Sequence, residues 1–341
     1  MSRTAVILGG TGQIGLAVKR RLMVEGWNVA LAHRGNRSEF TGGGVKEIII
    51  DRHDPQGVAK AVGGGADVVV DVVGYSREDA EYLLAASSDI GSIIAISTAA
   101  VYVDSQGRQF NGSVKPEEFP DFPDLISEDQ PTVSAGGEGY AEGKVAYEQN
   151  LLDHSRCPIS VLRLGAVSGP YSDHAREWFY VKRLLDGRRI FAHHRKGSSV
   201  FHTTSVENIA ALVMQAAAFR SSMIYNCADP EPLTEKQIAA AVAAAMGIQV
   251  SQVDVPDEEP AEGCRSPWFI PGRLALDTQR AEALGYRAVT TYERAVRSVV
   301  DWLVQSIDRD EWQRELPVLA GYPFALFDYE TENKMIARAG V

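Results

Sequence analysis

The chain has 341 residues, with 34 Lys plus Arg against 45 Asp plus Glu, a formal charge of −11 with histidines neutral. With 45% apolar and 23% charged residues, it has the composition of a globular chain long enough for one large domain or two unequal ones, which excludes disorder as its main state. An acidic field repels a phosphate backbone and no run of five Lys or Arg occurs, so no nucleic-acid partner is expected.

In chain order, strands are predicted at residues 4–8, 28–33, 45–50, 68–73, 92–97 and 159–164. Each is apolar almost throughout, as strands covered by helices on both faces are. Helical spacing or composition fills 14–25, 58–62, 77–86 and 140–154 between them. This alternation predicts an α/β fold, a doubly wound Rossmann-type parallel sheet. Residues 103–139 lapse into Pro, Gly, Asp and Glu. An irregular stretch of that length marks a functional loop, here expected to be a mobile wall over an active site. After Gly169-Pro170, helical patterns at 176–185, 206–217, 234–246 and 291–304, with a Pro/Glu-rich connector at 256–260, predict a smaller, mostly helical C-terminal substrate lobe. The expected division is a dinucleotide-binding domain over 1–168, rejoined by segments near 200–228, and a discontinuous lobe over 169–341.

Cys157, Cys227 and Cys264 are odd in number and outside any CxxC spacing, so neither a disulfide framework nor a zinc site is expected. No stretch approaches the roughly 20 apolar residues of a membrane span, and residues 4–8 are too short for a signal-peptide core. A cytoplasmic protein without a membrane partner is expected.

Gly9-Gly10-Thr11-Gly12-Gln13-Ile14-Gly15 follows the first strand and opens the first helix. Its glycines stand where a backbone must turn tightly and approach a pyrophosphate. A glycine triplet alone is often mere turn chemistry; the strand before it and the helix after it make this one a dinucleotide loop. The second strand ends in His33-Arg34-Gly35-Asn36-Arg37, with none of the carboxylates that bind a free ribose 2′-hydroxyl. The guanidinium groups of Arg34 and Arg37 suit a 2′-phosphate, so NADP is expected ahead of NAD; the plain alternative is solvated loop charge. The third strand ends in Asp51-Arg52, where a carboxylate suits the adenine amino group. The fourth ends before Val73-Gly74, where a glycine lets the cofactor pass close to the backbone.

Tyr140-Ala-Glu-Gly-Lys144 places a phenol and an ammonium four residues apart on one helix face. A positive Lys144 favours the phenolate, lowering the tyrosine's pKa so that it exchanges a proton with a substrate oxygen. The pair also occurs as an ordinary surface pair, and the glycine loop upstream argues for the catalytic reading. A third hydroxyl comes from Ser97-Thr98 at the end of the fifth strand, through Thr98 or else Ser97, either of which can also be a simple cap.

With these motifs, Leu162-Arg-Leu-Gly-Ala-Val-Ser-Gly-Pro170 and a weaker Phe201–Ala210 segment, the chain resembles the extended short-chain dehydrogenase/reductase superfamily, the NAD-dependent epimerase/dehydratase group. The resemblance implies a catalytic Tyr140, a Lys144 that also bonds the nicotinamide ribose, a Ser/Thr at Thr98, and a homodimer. In the 4,6-dehydratases of that superfamily an acid and a glutamate base follow the catalytic Thr. Ala99 and Ala100 stand there and can do neither, so dehydration is not expected. The usual nucleotide-sugar arginine is replaced by Phe201-His202, leaving Arg176 or Arg273 for that task. Further substrate-side candidates are Tyr75, His174, Trp178, His193, His194, His202 and Trp268; the adjacent histidines are not expected to bind metal. The leading expectation is an NADP-dependent oxidoreductase acting on a small polar metabolite. An epimerase holding NAD is the alternative, and a non-catalytic cofactor sensor or RNA-associated protein the third.

Overall fold

The computed structural model describes residues 3–35, 40, 44–112, 115–255 and 265–340. Strand β1 (Thr4–Leu8) leads through helix α1 (Gln13–Val24) to β2 (Asn28–His33), then β3 (Lys46–Ile49), α2 (Pro55–Val62), β4 (Val68–Asp71), α3 (Arg77–Ala85), β5 (Ile93–Thr98), α4 (Tyr140–His154) and β6 (Ile159–Leu164). Next come β7 (Ala166–Ser168), α5 (Trp178–Leu185), β8 (Ile190–His193), β9 (Val200–Phe201), β10 (Thr203–Ser205), α6 (Val206–Phe219) and β11 (Met223–Cys227). The chain continues through α7 (Glu235–Ala245), β12 (Ser251–Asp254), β13 (Arg273–Leu274), α8 (Gln279–Ala283), α9 (Tyr292–Ser306) and short helices to the last one, Tyr329–Arg338.

Seven strands form one parallel sheet in the order β11-β6-β5-β4-β1-β2-β3. The reversal of winding at β1 and β4 is the topological switch point of a doubly wound fold, and ligands bind at the carboxyl edge there. β4, Val68-Val-Val-Asp, is buried along its whole length, because α1 and α6 cover one face of the sheet and α2, α3 and α4 the other. β11, not predicted as a strand, completes the sheet beside β6 with Met223 opposite Ser160. A further apolar cluster joins α5, α7 and α9 around Trp178, Trp268 and Tyr292. The irregular segment after β5 is anchored by Phe119 and Ile126 in a cluster with Val145 and Leu274. The 256–260 connector and Cys264 lie outside the described residues.

Candidate active site

The glycine loop crosses the end of β1 with Gly9 at φ +77°, where only glycine is unstrained. A Cβ on Gly15 would sit 2.6 Å from the Gly10 backbone, so this glycine lets α1 close onto the loop. Gly12 differs. Its backbone (φ −85°, ψ 172°) is open to any residue, and a Cβ there would meet nothing nearer than the Gly9 carbonyl at 3.8 Å. Gly12 borders a cavity of about 690 Å³, and no side chain caps the α1 N-terminus that follows it. Free backbone N–H groups at a helix start, with space in front of them, suit an anionic pyrophosphate. Gln13 adds a buried side-chain oxygen with no hydrogen-bond partner among the described residues.

Thr11, Gln13, Ile14, His33, Arg34, Asp51, Arg52 and Val73 border the same cavity, together with Tyr171 and Asp173, which the sequence reading missed. The turn signal Gly169-Pro170 was the available clue: Tyr171 follows it with φ 67°. Arg37 lies outside the described residues. His33 borders the cavity as expected of a strand-end residue; its Nδ1 accepts the Gly35 N–H at 3.0 Å and its Nε2 lies 3.0 Å from the Glu47 carboxylate. Two expectations need correction. Arg52 is buried and bonds Asp79 (Nε–Oδ1, 2.8 Å) and Asp71 (Nη1–Oδ1, 2.9 Å), so its guanidinium is committed inside the fold. Gly74 does not border the cavity; a Cβ there would collide with the Tyr147 ring at 2.3 Å, so packing of α4 requires this glycine.

A second cavity of about 420 Å³ shares Gln13, Ile14, Val72, Tyr75 and His174 with the first. Ser97, Thr98, Tyr140, Lys144 and Arg176 all border it. Tyr140 is the first residue of α4, and its ring lies 6.2 Å from that of Tyr75. Lys144, one turn on, is buried; its Nζ donates to the carbonyls of Gly74 (2.7 Å) and Ile96 (2.9 Å) and sits 4.3 Å over the Tyr75 ring. An ammonium has three N–H donors, and two are used. Burial lowers the Lys144 pKa to about 8.

The expected depression of the Tyr140 pKa is not found. Desolvation, then the neighbouring Tyr75, push it up to about 12, with the Thr98 hydroxyl acting the other way. Lys144 turns two of its N–H groups toward backbone carbonyls. Thr98 Oγ1 also accepts the Ala100 N–H at 3.1 Å, so it caps the turn after β5 while bordering the cavity. The Ser97 hydroxyl donates to Glu148, which pairs with Arg163 at 2.6 Å.

His202 is not a cavity residue. Buried, it pairs Nε2 with the Asp229 carbonyl (2.8 Å) and accepts the Leu276 N–H on Nδ1 (3.1 Å); burial holds its pKa near 4. It joins β10 to the chain after β13. Arg273 points to the Asp124 carbonyl at 3.0 Å and borders neither cavity. Trp178 and Trp268 are core residues. No group of three metal-ligating side chains occurs among the described residues, and no helix there is long and apolar enough to cross a membrane.

A glycine-looped dinucleotide cleft at the carboxyl edge of a doubly wound sheet, opening onto a Tyr/Lys helix, is the framework of a nicotinamide-dependent enzyme. The model of the NAD dependent epimerase/dehydratase family matches residues 5–228, and the chain belongs to that family. No curated protein matches it. Among solved structures it is similar to the UDP-glucose 4-epimerase of Thermus thermophilus in complex with NAD, with TM-score 0.68 and 20% identity over 89% of this chain and 100% of that one. It is also similar to the Bordetella bronchiseptica enzyme WbmG in complex with NAD and UDP (0.67, 18%, 89% and 94%). A third is the dTDP-glucose 4,6-dehydratase of Bacillus anthracis str. Ames with NAD (0.68, 14%, 92% and 100%). At these identities the likeness is one of fold.

Proposed function

We propose that the protein is an oxidoreductase that moves hydride between a nicotinamide dinucleotide and an alcohol or carbonyl carbon, with Tyr140 as acid/base. The observation that carries this reading is the junction of the two cavities, with the glycine loop bordering one and Tyr140, Lys144 and Thr98 the other. The dinucleotide would lie along Gly9, Thr11, Gly12, Gln13, Ile14 and Gly15, with Asp51 and Val73 on its far wall, and Lys144 and Ser97 bordering its reactive end. When bound, it supplies or accepts the hydride. Tyr140 holds its proton at neutral pH and donates it to the substrate oxygen during reduction, while Thr98 orients that oxygen. Lys144 has one N–H free of carbonyl partners, available to a ribose hydroxyl.

NADP is part of the proposal, on the strength of Arg34 at the cavity wall and the lack of a carboxylate at the end of β2. A division near residue 168, with the later segments forming the substrate side, a homodimer and a cytoplasmic setting belong to the same reading. The second reading is an epimerase that returns the hydride to the other face of the carbon. The NAD-bound UDP-glucose 4-epimerase of the same fold favours it. Ala99 and Ala100, which border the substrate cavity without acid or base, speak against a dehydratase. Tyr140→Phe tests the proposal: turnover should fall about 10²- to 10⁴-fold with dinucleotide affinity kept, and full turnover would overturn it. A dinucleotide that copurifies without exchanging, with no net absorbance change on turnover, would favour the epimerase.

A further inference from the structure

The substrate-side cavity carries charge of one sign. No carboxylate borders it among the described residues, while Arg176 and Lys144 do, in a chain of net charge −11. Lys144 spends two N–H groups on carbonyls, and the proposed reading gives its third to the dinucleotide ribose. His174 adds no charge, since burial and then the Arg176 charge hold its pKa at about 3. The cavity's available cation is therefore Arg176.

Aromatic rings back it. The guanidinium lies 5.3 Å from the centre of the Phe201 ring and 5.5 Å from that of Trp268, and its Nε is buried without an acceptor. Tyr322, whose hydroxyl meets His174 Nε2 at 2.7 Å, also hydrogen-bonds Arg176. A phenol satisfies a donor but brings no counter-charge, and the carboxylate that feels the Arg176 charge is the buried Glu177 next to it in the chain. The adjacent Glu177 turns its carboxylate to Ser168 (2.6 Å) and Tyr292 (3.2 Å). A partly desolvated guanidinium backed by aromatic rings attracts an anion more strongly than one in open solvent, and its planar donors match carboxylate and phosphate oxygens.

We infer that the substrate carries a carboxylate or phosphate in addition to its reacting alcohol or carbonyl, and that Arg176 binds that anion. The inference rests on the hydride-transfer reading of the Tyr140 site and deepens it. A small anion fits better than a nucleoside-diphosphate sugar. Such a sugar carries a doubly charged diphosphate, and this cavity offers it one available cation.

The test is calorimetric titration of the full chain, saturated with its preferred dinucleotide, with matched probes. Pyruvate is set against hydroxyacetone, glucose 6-phosphate against glucose, and UDP-glucose stands for the nucleotide sugars. At least one small anion should bind about tenfold or more tightly than its neutral counterpart. Arg176→Met should bring the pair to parity and Arg176→Lys should keep part of the difference. Unchanged dinucleotide affinity shows that both variants fold. Parity in the wild type, an anion preference that survives Arg176→Met, no binding of any anion, or UDP-glucose bound more tightly than every small anion would each overturn the inference. Arg176-dependent anion binding without hydride transfer on any probe would overturn the redox reading and leave the anion site standing. Turnover confined to neutral probes would do the reverse.

Discussion

Two glycines of one loop separate folding from binding. Gly15→Ala would press a methyl to 2.6 Å from the Gly10 backbone, and such overpacking costs typically about 1–3 kcal/mol. Gly12→Ala meets open space, so it should cost no more than the roughly 1 kcal/mol of replacing a helix N-cap glycine by alanine while dinucleotide affinity drops, since the methyl enters the pyrophosphate cradle. Chemical denaturation and dinucleotide titration of both variants read the two effects, and equal stability losses would contradict the assignment. Lys144 makes a pH prediction. Burial moves its pKa from the ordinary 10.5 down to about 8, so between those values the unfolded chain holds a proton that the folded one has released, and stability rises with pH there. The Tm of the wild type relative to Lys144→Met should climb from pH 8 to 10.5 and be flat below; parallel curves across that range would refute the shift.

At the scale of elements, Arg52 ties together the ends of β3 and β4, helix α3 and helix α4. It grips Asp71, which also accepts the Tyr147 hydroxyl at 2.6 Å, and Asp79, whose other oxygen accepts the N–H groups of Tyr75 (2.7 Å) and Ser76 (3.1 Å). Burial alone would raise the Asp79 pKa, but the Tyr75 N–H and the Arg52 charge hold it below the ordinary carboxylate value. This network supports the turn that presents Tyr75 to the cavities and the Gly74 carbonyl to Lys144. Arg52→Leu leaves two buried carboxylates without their cation and should cost about 3–5 kcal/mol. Urea unfolding measures it, and a loss under about 1 kcal/mol would show the network to be slack. Its members are 19 and 27 residues apart along the chain, beyond the reach of any periodicity, which is why Arg52 read as a strand-end ligand.

For the whole molecule, the order of winding puts the glycine loop, the ends of β4 and β5 and the start of α4 on one edge of the sheet. A ligand that binds there and not to the unfolded chain stabilises the fold by about 2.7 kcal/mol at one hundred times its Kd. At equal concentrations NADP should raise the Tm more than NAD, and Arg34→Ala should remove the difference. Equal shifts in the wild type would refute the NADP preference.

The order of β1 to β6, the glycine loop and the Tyr140 helix were legible in the sequence because buried parallel strands, tight turns and helical faces each leave a local pattern. Local pattern could not place β11, whose pairing with β6 is a long-range contact, or tell Arg176 at the cavity from His202 and Arg273 away from it. Nor could it show that Lys144 faces backbone carbonyls, or that Gly74 answers to Tyr147. Such matters depend on which distant groups share a buried volume, where each donor must find an acceptor and each charge a counter-charge, and only the assembled tertiary structure decides that.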